Sequence, residues 1–132
     1  MKKTIAVICD NQNVDRYWLQ HNVSIFIESK IINENFGNFL FASENEFDYF
    51  VLDIIKNLNL KTNNKYFAQD KNALMILSYE IQSYFNKISV LDDNCFEFII
   101  KNADYVIFYV NSSNELLNFA KDNNKPYINF NN

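Results

Sequence analysis

FLFASENEFD, residues 39–48, decides the reading of the fold. Phe39 to Ala42 is an apolar run that suits a buried strand, and Phe47 opens a helical pattern. The turn between them, Ala42-Ser43-Glu44-Asn45-Glu46, stands where a nucleotide-binding α/β fold places glycines. None is present, and two glutamates occupy the turn. Either a phosphate site has been lost here, or the site is built for another ligand.

The elements on either side repeat the same alternation. Residues 3–9, KTIAVIC, form a short apolar run expected to be a buried parallel strand. Asp15 to Asn35 reads as a helix, with Leu19, Val23, Ile27 and Ile31 at every fourth position. Gly37, the one glycine of the chain, is expected to cap it. Residues 38–42 give a second strand. After it, Phe47, Phe50, Val51, Ile54, Ile55 and Leu58 line one helix face. Further strands are expected at 65–69, 87–91 and 104–110, with YINF closing the chain as a last one. Helices are expected at 72–85, 94–101 and 113–123, the last stopped by Pro126. Alternating strands and helices imply one α/β domain over residues 1–132. It is a Rossmann-like three-layer sandwich around a mostly parallel sheet.

Composition narrows the function classes. The 132 residues suit one domain, and 48% apolar with 21% charged content suits a globular chain. Eight tyrosines and thirteen phenylalanines exceed what one small core needs, so some are expected near the surface. The net charge is −4 with no lysine or arginine cluster, which argues against nucleic acid and against an anionic membrane surface. No stretch approaches a membrane span, and the start lacks the pattern of a signal peptide, so a reduced cytoplasmic location is expected. Cys9 and Cys95 lack metal-ligand spacing, and Cys9 is expected to be buried.

Ligands of open α/β sheets sit at the carboxyl ends of the strands. The loops there are 10–13, 43–46, 69–70, 92–94 and 111–115. Ser43-Glu44-Asn45-Glu46 and Ser112-Ser113-Asn114-Glu115 both have the S-x-x-E form of a capping box, and Asn94 to Glu97 is a weaker version. Such caps occupy the N–H groups a phosphate would use, and their glutamates repel anions. Asp10, Asp70, Asp92 and Asp93 could hold Mg²⁺, but they read better as helix caps and solvated acids. No metal or cofactor is expected. His21, the one histidine, is expected to be exposed. Tyr17 and Trp18 could stack on a base, though such residues more often pack on the sheet or at a subunit contact. Ser112 and Ser113 have no neighbouring histidine or lysine to activate them.

Two stretches carry a family resemblance. FGNFLFASENEFDYFVLDIIKNL resembles the second strand and helix of the SLOG superfamily, with Phe47-Asp48 matching its Phe-Asp pair. Ser43 and Glu44 fall roughly where that family has glycines. Residues 102–130 resemble its later strand, helix and final strand through Ala103, Asp104, Ala120, Lys125 and Ile128-Asn129. Cys9-Asp10 replaces the family's Gly-His-Arg type of first loop. The matches cover about half of the chain, and residues 60–95 match poorly.

Some SLOG members are phosphoribohydrolases with a Pro-Gly-Gly-x-Gly-Thr loop, which this chain lacks. Others are sensors of nucleotide-derived signals in antiviral defence. Similarity to nucleoside deoxyribosyltransferases fails because Leu116 stands where their catalytic Glu would be. Glu115, one residue away, would point about 100° aside.

The resemblance implies non-catalytic binding of a nucleotide-derived small molecule, by a sensor or a sequestering protein. The residues implied are Cys9, Asp10, Asn11, Ser43, Glu44, Asn45, Asp48, Asn111, Ser112 and Ser113. The acids suit ribose hydroxyls or exocyclic amines better than phosphates. A protein-interaction module on a degenerate SLOG scaffold is the second class. A nucleoside or nucleotide hydrolase or transferase is the third, for which no nucleophile, base and oxyanion set can be assembled. Self-association into a homo-oligomer is expected.

Overall fold

The structure is a computed structural model that describes residues 2–10, 14, 16–58, 64–70, 82–83, 85–92 and 94–131. Among them the chain runs β1 (Lys3–Cys9), α1 (Arg16–Glu34), β2 (Phe36–Phe41), α2 (Glu46–Asn57), β3 (Asn64–Asp70), β4 (Lys87–Leu91), α3 (Cys95–Lys101), β5 (Tyr105–Tyr109), α4 (Glu115–Asp122) and β6 (Tyr127–Asn129). The six strands form one parallel sheet in the order β4-β3-β2-β1-β5-β6. This is the expected α/β Rossmann-like sandwich. The expected helix at 72–85 falls largely on residues outside those described. No helix among the described residues is long and apolar enough to cross a membrane.

β1 is central, and its continuous apolar run follows from burial on both faces. Ile5, Val7 and Cys9 point to the layer of α1 and α2, where Leu19, Val23 and Ile27 of α1 meet Phe47, Val51 and Ile55 of α2. Ala6 and Ile8 point to the other layer, against Ile99 and Ile100 of α3 and Ala120 of α4. Val106 and Phe108 of β5 join that second layer, whereas Ile107 and Tyr109 join the first. Each fully buried Ile, Leu or Phe contributes roughly 1.5–3 kcal/mol by leaving water. The alternation of faces along β1 and β5 therefore fixes the register strongly.

Two boundaries differ from the sequence reading. α1 ends at Glu34, and Asn35, not Gly37, takes the left-handed conformation (φ 61°). Gly37 lies inside β2 and is buried, where a Cβ would run into the Lys2 side chain. Asn124, after α4, is left-handed too (φ 56°), and the Lys125 N–H returns to the Ala120 carbonyl at 2.9 Å. Asparagine tolerates this conformation better than other Cβ-bearing residues. With one glycine in the chain, asparagine takes the left-handed position after α1 and α4. The Asn35 carbonyl also accepts the Lys3 N–H at 2.9 Å, so the turn feeds directly into the β1–β2 pairing.

Asn35→Gly is expected to leave stability near its original value, whereas Asn35→Ala should lower it by about 1 kcal/mol. Urea unfolding of the two variants measures the difference.

Candidate functional site

Strand order reverses between β1 and β5: the chain builds outward from β1 through β2, β3 and β4, then crosses to β5 and β6 on the other side. At such a reversal the loops leave toward opposite faces and a crevice opens at the carboxyl ends. Cys9 and Asp10 stand at the carboxyl end of β1, and Tyr109, Val110 and Asn111 at that of β5. Asp10 joins the two. Its N–H donates to the Tyr109 carbonyl at 3.3 Å, and its Oδ2 accepts the Asn111 N–H at 2.9 Å. Its Oδ1 is shielded from solvent and accepts no hydrogen bond.

Beside this clamp lies the most constrained polar group among the described residues. Asp48, in the first turn of α2, is 1% exposed and is the one buried charged residue among them. Three donors converge on its Oδ2: the Ser43 hydroxyl at 2.5 Å, the Asn45 N–H at 2.9 Å and the Cys9 thiol at 3.2 Å. Its Oδ1 has no hydrogen-bond partner. Phe47, the preceding residue, stacks on Tyr109 at 5.0 Å with the rings nearly parallel, which fixes the α2 start against the end of β5. The local sequence explains the arrangement. Phe47 must face the core, and one residue further round the helix Asp48 turns toward the end of β1.

The capping residues are shifted from the S-x-x-E reading. Asn45 is the N-cap of α2 and Asp48 its reciprocal partner, because the Ser43 hydroxyl is taken by Asp48 and Glu46 lies exposed at the first helical position. At α4 the cap is Asn114, not Ser112; its side chain accepts the Leu116 N–H at 2.9 Å. At α3, Asn94 caps as read, accepting the Glu97 N–H at 3.1 Å. An N-x-x-D pattern, Asn45 to Asp48, was available in the sequence beside the S-x-x-E pattern. The long-range bond from Cys9 had no local signal.

These contacts answer the question of the glycine-free turn. A helix N-terminus favours an anion. At α2 the group in that position is the protein's own Asp48 carboxyl, with the Asn45 N–H already bonded to it.

Burial sets the protonation. Desolvation pushes the Asp48 pKa up to about 7; the three donors oppose this and Glu44 adds to it. Burial, followed by the charge and hydrogen bond of Asp48, pushes the Cys9 thiol well above its ordinary range. Cys9 is therefore a donor and not a thiolate nucleophile at neutral pH.

The structure joins Cys9, Asp10, Ser43, Asn45, Asp48 and Asn111 in two bonded groups that meet at the end of β1. Asn45 Nδ2 reaches back to the Cys9 carbonyl at 3.5 Å. Glu44 turns away and accepts the Tyr49 hydroxyl at 3.0 Å; burial and then Glu44 push that phenol up to about 12. Ser112 and Ser113 are exposed, and Ser113 lines a separate open cleft of about 630 Å³ between the starts of α3 and α4. Asn11 lies outside the described residues. Tyr17 and Trp18 are exposed instead of packed on the sheet. Among the described residues no group of three or more His, Cys, Asp or Glu is placed to hold a metal. No protein-family model and no curated protein matches the chain.

The raised Asp48 pKa has a stability consequence with a definite sign. Between the unfolded value near 3.9 and the folded value of about 7, the native state holds the proton that the unfolded state has lost. This group's stabilisation is complete below pH 4 and is lost as pH rises through 7. Asp48→Asn has no such titration. The stability difference, wild type minus Asp48→Asn, should fall between pH 4.5 and 7.5, as read by urea unfolding.

Proposed function

We propose that the chain binds a nucleotide-derived small molecule, without turnover, at the β1–β5 crevice, as a sensor or a sequestering protein. The observation that carries this is Asp10 Oδ1, a carboxyl oxygen shielded from solvent and without a donor, at the strand-order reversal. Buried polar atoms in native proteins nearly always find a partner. An acceptor left over at the carboxyl edge of a sheet calls for a ligand that brings a donor. A ribose diol or an exocyclic amine supplies one; a phosphate supplies none and meets an edge already acidic. Asp10 and Asn111 would touch the ligand. Asp48 would position Ser43 and Asn45. The SLOG resemblance around Phe47-Asp48 supports the same reading, with the glycine-dependent phosphate contact replaced by an internal carboxyl.

Exposed Tyr17 and Trp18 favour the second reading, a protein-interaction scaffold that self-associates.

A thermal-shift screen with adenosine, ADP-ribose, cyclic dinucleotides and 2′,3′-dideoxyadenosine separates the two. A ligand at 100 times its Kd adds about 2.7 kcal/mol and raises the melting temperature by several degrees. The shift should shrink for the ligand lacking the ribose diol. In Asp10→Asn binding should weaken at least about tenfold, about 1.4 kcal/mol. A flat screen at millimolar ligand overturns the binding reading and favours the scaffold; a shift unchanged in Asp10→Asn overturns the placement of the site at Asp10.

A further inference from the structure

The outer face of α1 carries Trp18, Ile25 and Ile32, which are 57%, 52% and 62% exposed. They recur every seventh residue, nearly two full turns, and so form one line along the helix. The line lies opposite the buried Leu19, Val23 and Ile27. It spans about 21 Å at 1.5 Å per residue. Scattered exposed hydrophobics need no explanation, but three in register on one helix form an apolar line at heptad spacing.

The seam is symmetric about its midpoint. We propose that it is the contact of a two-fold dimer of this chain, with α1 packed antiparallel on α1 and Ile25 on the axis. That axis sets Trp18 at the level of Ile32 of the partner subunit, and Ile25 against its own copy. A shallow hollow of about 280 Å³ bordered by Ile25, Ser29 and Ile32 lies on the same line, with Trp18 of the partner subunit at its far end.

The flanks match under the same operation. His21 and Glu28 lie on one side of the seam, and Asn22 and Ser29 on the other. In the antiparallel arrangement His21 falls next to Glu28 of the partner subunit, and Asn22 next to Ser29 of the partner subunit. Both pairs occur twice, as an isologous contact requires. A parallel pairing would instead set His21 and Glu28 beside Asn22 and Ser29 of the partner subunit, losing the donor–carboxylate match. A face that fits itself in apolar line and in donor–acceptor pairing names a second copy as its occupant.

The inference is independent of the ligand reading and is tested without a ligand. Sedimentation of the wild-type chain across micromolar to millimolar concentration should show a monomer–dimer equilibrium. Ile25→Glu should be monomeric, with an unchanged circular dichroism spectrum. His21→Glu should weaken the dimer, and His21→Glu with Glu28→Lys should restore it. Orientation is read by oxidation: a mixture of Trp18→Cys and Ile32→Cys chains should give a disulfide-linked heterodimer, whereas Trp18→Cys alone should not. The native thiols, Cys9 and Cys95, are buried and leave this readout clean. A monomer at every concentration overturns the proposal. So does a dimer that survives Ile25→Glu, an uncompensated charge reversal, or Trp18→Cys linking to itself.

Discussion

One buried carboxyl organises the carboxyl edge of the sheet in this protein. Asp48 sits in the first turn of α2, beneath Ser43 and beside Cys9, and takes three hydrogen bonds on a single oxygen. An unpaired carboxylate in an apolar layer would cost several kcal/mol, so its donors are obligatory. They come from the end of β1, from the turn and from the helix cap. The carboxyl therefore ties the end of β1 to the turn that opens α2. The stacked pair Phe47 and Tyr109 extends the tie to β5, and Asp10 closes it by holding Asn111.

The same carboxyl explains how an α/β sheet with a single glycine builds the turn that opens α2. Phosphate-binding turns need glycine so that a ligand's anion can approach the helix N-terminus closely. Here the carboxyl at the helix start is covalently part of the chain, so no close approach is needed and Ser43, Glu44 and Asn45 are tolerated. Asparagine takes over the remaining duties of glycine. Asn35 and Asn124 supply the left-handed turns, and Asn45, Asn94 and Asn114 supply the caps.

Much of the fold was legible because its signals are local and repeated. The apolar run of β1 and the one-sided pattern from Phe47 to Leu58 each fix an element by periodicity. Helix ends were less legible. Ser43-x-x-Glu46 and Asn45-x-x-Asp48 are overlapping patterns of the same chemical kind, and only the distant Cys9 decides between them by drawing Asp48 inward. Gly37 looked like a cap because glycine is the usual left-handed residue; it lies instead inside β2, with the Lys2 side chain where its Cβ would be. The candidate residues came from the expected strand ends, and six of the ten came together there. Ser112 and Ser113 did not, because Asn114 caps α4 and leaves both serines in an exposed turn.

The account stands on Asp48 being a buried, shared acid and not a solvated one. A carbon-detected NMR titration of the Asp48 carboxyl measures that directly. The account predicts a midpoint near 7, with the Cys9 and Ser43 resonances following the same transition. A midpoint near 4, the value of a solvated aspartate, would contradict it.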